Sequence, residues 1–279
     1  MSKKINYIEI NRDIHDAQAD EYDSHHLEIY NPTEQHRIQC LLKKTVHQIK
    51  KTVSSPIFLD YGCGTGNISM KLLEFGVEVV AADISSKSLE KLKHKSNNNP
   101  NLKIVHLKSP TNEVISTEFF DCVIIYSVLH HIPDYIDELK NIAQNIKAGG
   151  LLIIDHEASP HFWSPSTTYL EYKKKLNQKL GFKKRWLSFI NNLFDIRFLI
   201  WKIRTSIFQQ SPPGREGDIH VHKYDHIEWD KIEKIFENSF NIEETVDYLI
   251  CRETDDNPTL WENYNDKCVD MRYTIFRKL

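Results

Sequence analysis

Reactive side chains cluster at three places in this sequence: Asp60 with the glycines after it, Asp83, and the pair His130-His131. Asp60-Tyr61-Gly62-Cys63-Gly64-Thr65-Gly66-Asn67 follows the apolar run Ile57-Phe58-Leu59 and precedes a helical pattern from Ile68 to Phe75. Glycines let the backbone turn sharply and lie close to a ligand where any Cβ would collide. Strand, glycine turn and helix together make the phosphate- or nucleoside-binding corner of a doubly wound α/β sheet. A dinucleotide fingerprint requires G-x-G-x-x-G, and Asn67 stands where its third glycine belongs. The spacing here is D-x-G-x-G-x-G. Asp83 ends the next apolar run, and an acid about twenty residues beyond such a loop accepts hydrogen bonds from ribose hydroxyls. The competing reading is a helix N-cap, a position Asp also suits. Histidine is the natural base near neutral pH, and His130-His131 lies just after Val123-Ile124-Ile125.

The elements that carry these residues alternate. Strands are expected at Ile57–Asp60, Glu78–Asp83, Lys103–Leu107, Asp121–Ser127 and Leu151–His156, with helices at Asn67–Phe75, Lys87–Lys95 and Tyr135–Ile146. Strands such as Val79-Val80-Ala81-Ala82 are continuously apolar, as when helices cover both faces of a parallel sheet. Right-handed crossovers then give a doubly wound sheet. Ahead of this core, Thr33 is the expected cap of a helix running to Ile49, and His15–Asp23 reads as a short polar helix or turn. After His156 the alternation breaks. Residues 160–218 hold eleven basic residues against four acids, and Ser211-Pro-Pro-Gly214 closes the stretch with a turn signal. Helix Ile227–Asn238 and strands Asn241–Ile250 and Met271–Arg277 follow, separated by a polar excursion at 252–268. The expected organisation is an N-terminal helical cap (1–55), a core (56–157 and 219–279) and a basic, aromatic insertion (158–218).

Composition is that of an ordinary globular protein: 279 residues, 40% hydrophobic, 27% charged, formal net charge −3. That balance argues neither for nor against nucleic acid. No apolar run approaches the roughly 20 residues of a membrane span, and the first residues lack the apolar stretch of a signal peptide. Five widely spaced cysteines with no C-x-x-C pair read as reduced thiols, which points to the cytoplasm, and zinc held through cysteine is not expected.

The glycine loop resembles motif I of the class I S-adenosylmethionine-dependent methyltransferases. Phe119–Asp134, with its Leu-His-His-Ile-Pro-Asp ending, resembles their motif IV, and Lys147–Asp155 resembles their turn and fifth strand. The resemblance covers roughly 57–156. It implies a mostly parallel, seven-stranded, Rossmann-like sheet with N-terminal helices and a helical lid after the fifth strand. It also implies S-adenosyl-L-methionine as cofactor and methyl transfer to a small acceptor, with O-methylation favoured. Asp60, Gly62, Gly64, Gly66, Asp83, Ile84 and Tyr126 would line the cofactor pocket, and Tyr22 would close over its methionine end. Where the family often has Gly-Asp, this chain has Lys108-Ser109-Pro110, so Ser109 takes the contact with the adenine amine. His131 is the expected base, with His156, His161 and His222 as competitors. Such chemistry needs no metal, and the group His220, His222 and His226 has no acid or thiol to complete a ligand set.

The insertion carries the acceptor question. Arg185–Phe208 holds too many apolar residues for a free surface helix and would bury against the core, a lipophilic substrate, a second subunit or a membrane surface. The reading is a hydrophobic acceptor with an acidic group, met by Lys183, Lys184, Arg185 and Arg204. Peripheral membrane contact through 183–208 and a homodimer are its further expectations. Lys173–Lys175 could touch phosphates, but no RNA-binding module accompanies them, so nucleic acid is disfavoured. The alternatives are a cofactor-binding partner protein without turnover, and a methyltransferase acting on RNA or lipid.

Overall fold

The structure, a computed structural model, describes residues 7–108, 119–179, 217–253 and 258–279. One seven-stranded sheet organises them. Its strands are β1 (Ile57–Tyr61), β2 (Glu78–Asp83), β3 (Leu102–His106), β4 (Phe120–Tyr126), β5 (Ile146–Ala158), β6 (Phe240–Tyr248) and β7 (Met271–Lys278). The longer helices are α1 (Tyr7–Gln18), α2 (Pro32–Lys50), α3 (Asn67–Glu74), α4 (Ser86–Lys95), α5 (Tyr135–Gln144), α6 (Thr167–Lys179) and α7 (Trp229–Phe236). The strand order is β3-β2-β1-β4-β5-β7-β6, parallel throughout except for β7, which runs antiparallel between β5 and β6. Chain order reverses beside β1, whose neighbours are β2 and β4. Ligands of open α/β sheets bind at such a reversal, beyond the carboxyl ends of the strands.

Every residue of β4 is buried, which explains the apolar run Cys122–Tyr126. Val123 and Ile125 point to one layer, with Leu139 and Ile142 of α5 and Trp229, Ile232 and Phe236 of α7. Cys122 and Ile124 point to the other, with Ile38, Leu42 and Val46 of α2, Leu72 of α3 and Leu92 of α4. The doubly wound, Rossmann-like sheet expected from the sequence is the observed one.

Three local expectations change. Helix α2 is capped by Asn31 rather than Thr33: the Asn31 side chain accepts from Glu34 N, and Pro32 at the first helical position supplies the φ the helix needs. Helix α1 covers 7–18, where the sequence suggested only a short polar segment further on. Its inward stripe is Ile8, Asn11 and His15, which faces a cleft instead of a core and therefore lacks an apolar period. The stretch 252–268 is not simply a polar excursion, because Glu253, Tyr264 and Cys268 are buried. Tyr169, Tyr172 and Leu176 of α6 pack on Leu249, Tyr264 and Cys268. The first helix of the insertion is thus docked against the C-terminal segment. The aromatic stretch 183–208 and Ser109 lie outside the described residues.

Gly66 precedes α3 at φ +97°, and a Cβ there would stand 2.4 Å from Leu92 Cδ1. Gly76 also has a positive φ, +66°, but its nearest neighbour is the flexible Lys50 Nζ at 3.8 Å. Both pay the left-handed penalty of about 1–2 kcal/mol on becoming alanine. Only the first adds overpacking, so Gly66→Ala is predicted to lower the urea-unfolding free energy by about 1–3 kcal/mol more than Gly76→Ala. Equal losses would show that the α3–α4 contact is not tight.

Candidate active site

A cleft opens at the carboxyl ends of β1, β2 and β4. Its floor is Gly62-Cys63-Gly64, its sides are Asp83-Ile84 and Tyr126-Ser127-Val128, and its roof is Ile8, Asn11 and His15 of α1 with Tyr22. Asp83 braces the floor: its Oδ2 accepts from Gly64 N at 2.7 Å and its Oδ1 from Ser85 N at 2.7 Å. The cap of α4 is Ser85, whose hydroxyl accepts from Ser88 N, so the cap reading of Asp83 falls away. Burial raises the Asp83 pKa, while its backbone hydrogen bonds and His15 oppose the shift. A Cβ built on Gly64 would meet no protein atom within 4 Å, so the space beside the loop is open.

Asp60 lines the same cleft and is buried. Its Oδ2 accepts from Ser69 N at 2.9 Å and Ser69 Oγ at 2.6 Å, fastening the start of α3 to β1. Burial pushes its pKa up to about 7. Tyr126 donates to Glu34 Oε1 at 3.1 Å, and its ring stacks on His156 with centroids 5.0 Å apart. Gly66 packs on Leu92 instead of standing on the wall. Of the sequence-derived pocket residues, Tyr22, Asp60, Gly62, Gly64, Asp83, Ile84, Tyr126 and also His131 meet in this one cleft.

A second cavity adjoins it and shares His15, Tyr22, Ile29, Ser127 and His131 with the first. Its apolar surface comes from Ala158, Phe162, Trp163, Ile227 and Met271, and its polar surface is rich in histidine. His130 Nδ1 lies 2.8 Å from Glu157 Oε2, and Glu157 Oε1 accepts from Val128 N and Leu129 N at 3.0 and 2.7 Å. The His131 carbonyl accepts from Asn11 Nδ2 at 2.8 Å. Its ring Nδ1 is buried without a hydrogen-bond partner, 3.5 Å from Asp218 Oδ1. Burial, then His130 and His15, hold the His131 pKa well below the ordinary histidine value. His156 is buried as well, and neither ring nitrogen has a hydrogen-bond partner. Its backbone sits at φ +62°, and that of Ser127 at +59°. Non-glycine residues hold such conformations only where the surroundings over-determine them, commonly at working sites.

Of the competing bases, only His156 faces this cavity. The His161 side chain is exposed beside Asp247, and His222 sits in an exposed two-residue strand pair, 221–222 with 225–226. His220 is anchored by Asp225 at 2.5 Å and by the carbonyls of Ile132 and Pro133, so it fastens the 217–226 segment to the loop after β4. Glu157 and Asp218 escaped the sequence reading. Glu157 had a usable signal, an acid at the carboxyl end of a core strand one place from β1's neighbour β4; Asp218 had none.

Residues 59–152 match a family model described as a methyltransferase domain. Over that third of the chain the sequence is similar to a methyltransferase domain. It is 30% identical to the ubiquinone biosynthesis O-methyltransferase of Rickettsia akari (strain Hartford) over 118 residues, 42% of this chain and 47% of that protein. It is 31% identical to mouse (Mus musculus) glycine N-methyltransferase over 142 residues, 44% of this chain and 48% of that protein. The chain thus spans about half the length of the curated relatives it matches. Among solved structures, magnesium protoporphyrin IX methyltransferase from Synechocystis PCC 6803 with bound SAM superposes with a TM-score of 0.56, at 13% identity and full coverage of both chains. At that identity the likeness shows the fold. The matched region supplies the floor and sides of the cleft and His130, while the roof of the cleft, Glu157 and the rest of the second cavity come from segments on either side of it.

The neutral, buried imidazole of His156 has a consequence for stability. Burial lowers its pKa from 6.5 to about 4, so between these values the unfolded chain binds the extra proton and the folded one does not. Its contribution is therefore lost as pH falls from about 6.5 toward 4. His156→Phe keeps a ring against Tyr126 and removes the titration. The drop in unfolding free energy from pH 8 to pH 5 is predicted to be about 2 kcal/mol smaller in the variant. An identical drop, measured by denaturant unfolding, would mean that His156 titrates normally.

Proposed function

We propose that this protein transfers the methyl group of S-adenosyl-L-methionine to an oxygen of a small hydrophobic acceptor. The observation that carries the proposal is the shared wall: a nucleoside-type cleft and an aromatic, histidine-lined cavity meet at His15, Tyr22, Ser127 and His131. The residues present fit the cofactor. Asp83 offers carboxylate oxygens to the ribose hydroxyls, the backbone at Gly62 and Gly64 admits close approach, and Tyr22 stands at the wall toward the second cavity. The cofactor, when bound, supplies the activated methyl and its own leaving group.

The protein's own task is to align the acceptor, keep water out and take up a proton. Phe162, Trp163, Ile227 and Met271 would hold an apolar body. His131 has an unbonded buried nitrogen on the shared wall and receives the proton of the acceptor hydroxyl, with Asp218 beside it to balance the charge. The O-methyltransferase names among the relatives support oxygen as the acceptor atom, and a glycine N-methyltransferase among them makes nitrogen the second choice. Within this reading, the basic and aromatic segment 183–208 provides contact with the lipid phase from which a hydrophobic acceptor comes. The free cysteines fit a reducing compartment such as the cytoplasm.

Calorimetry is predicted to detect S-adenosylmethionine binding, weakened more than tenfold by Asp83→Ala, which is about 1.4 kcal/mol or more for lost hydrogen bonds to a charged group. Binding of NAD in its place would contradict the reading. Incubating cell extract with isotopically labelled S-adenosylmethionine identifies the acceptor. With it, His131→Asn should lower kcat by roughly 100-fold or more while cofactor affinity stays within a factor of about two. A loss confined to cofactor affinity would remove His131 from the chemistry.

A further inference from the structure

Three metal-ligating groups converge in the second cavity. His130 Nε2 lies 3.7 Å and His131 Nδ1 3.5 Å from the same oxygen, Asp218 Oδ1. One ligand atom from each of the three lies within 4.8 Å of the others, and among the described residues no other group of His, Cys, Asp and Glu does this. Nitrogen and oxygen ligands held at about 2.0–2.2 Å from a tetrahedral zinc ion stand roughly 3.3–3.6 Å apart. The two histidine-to-aspartate separations are near that spacing already.

The partner of His130 strengthens the case. A histidine that ligates a metal through one nitrogen commonly gives the other to a carboxylate, which fixes the ring's orientation and tautomer. His130 Nδ1 bonds Glu157 Oε2 at 2.8 Å, and two backbone N–H groups hold the other Glu157 oxygen. Glu157 is 1% exposed and so committed that it cannot swing away. The ring's remaining nitrogen is the one that faces Asp218. His131 contributes a buried nitrogen with no hydrogen-bond partner.

We propose that His130, His131 and Asp218 bind one divalent transition-metal ion of the zinc type, with Glu157 orienting His130. Two imidazoles and one carboxylate suit zinc or its neighbours better than magnesium, which prefers oxygen ligands and water. Three protein ligands leave a coordination position open, the arrangement of catalytic rather than structural zinc. The ion site stands independently of methyl transfer. Its use does rest on that reading: an acceptor hydroxyl at the open position would lose its proton to solvent more readily, and His131 would then serve as a ligand instead of a free base.

The test is titration of the metal-free full-length protein with Zn²⁺ by calorimetry, and with Co²⁺ by visible absorption. Cys40 Sγ and His36 Nε2 lie 3.5 Å apart on an exposed helix face and could capture zinc adventitiously, so a Cys40→Ser background is used. One equivalent is expected to bind there. Asp218→Asn should weaken it at least tenfold, and Glu157→Gln, which touches no ion, by about 10- to 100-fold. Far-ultraviolet circular dichroism confirms that each variant is folded. Absence of uptake in the Cys40→Ser background overturns the site, as does uptake indifferent to both Asp218→Asn and Glu157→Gln. S-adenosylmethionine binding measured on the same metal-free protein separates the two readings: cofactor binding without zinc uptake refutes the metal site alone.

Discussion

The shape of the cleft depends on one half-buried guanidinium. Arg37 of α2 bonds both oxygens of Glu34 and both oxygens of Asp155, and the two carboxylates are each 2% exposed. Tyr126 donates to Glu34 and Tyr248 to Asp155, while the Arg37 guanidinium lies over the Tyr248 ring at 4.1 Å. Buried charges are tolerated when paired, and here Nε and Nη2 carry the pairing while the buried Nη1 has no hydrogen-bond partner. The attraction of Asp155 and Glu34 outweighs desolvation and holds Arg37 firmly protonated. Because Asp155 belongs to β5 and Glu34 to α2, this cluster pins the N-terminal helices across the carboxyl ends of the central strands. Removing a single member would strand the other charges.

Two features of the site follow from that anchor. Asp155 Oδ1 also accepts from His156 N at 2.6 Å, which fixes the backbone at the point where it turns left-handed. The His156 ring is thereby held against Tyr126 in a dry position. On the opposite side, α1 lies over the glycine loop and carries Asn11 to the His131 carbonyl. The wall between the cavities is built from α1, Tyr22 and the loop after β4. Burial holds the His15, His131 and His156 imidazoles below the ordinary histidine pKa.

Much of this was legible in the sequence, for identifiable reasons. Continuous apolar runs marked β1, β2 and β4 because both faces of the sheet are covered. The spacing from Gly62 to Asp83 marked the nucleoside corner because a short parallel crossover fixes that distance. Helix α1 was hidden because its inward face, Ile8-Asn11-His15, lines a cavity. That Ser69 claims the Asp60 carboxylate was not legible, because nothing in the sequence tells which way a carboxylate turns. The His130–Glu157 pair joins residues 27 apart, one in the turn after β4 and one at the end of β5, and Asp218 comes from the far end of the stretch 158–218. Only the folded sheet brings those three together.

The central claim is that the cleft beside β1 and β2 holds the adenosyl group and presents the methyl end to the shared wall. A crystal structure of the protein with S-adenosylhomocysteine tests it most directly. The account predicts ribose hydroxyls on the Asp83 carboxylate, the amino-acid end near Gly62 and Tyr22, and the sulfur facing the partition of His15 and His131. A ligand bound elsewhere, or one with its ribose away from Asp83, would contradict it.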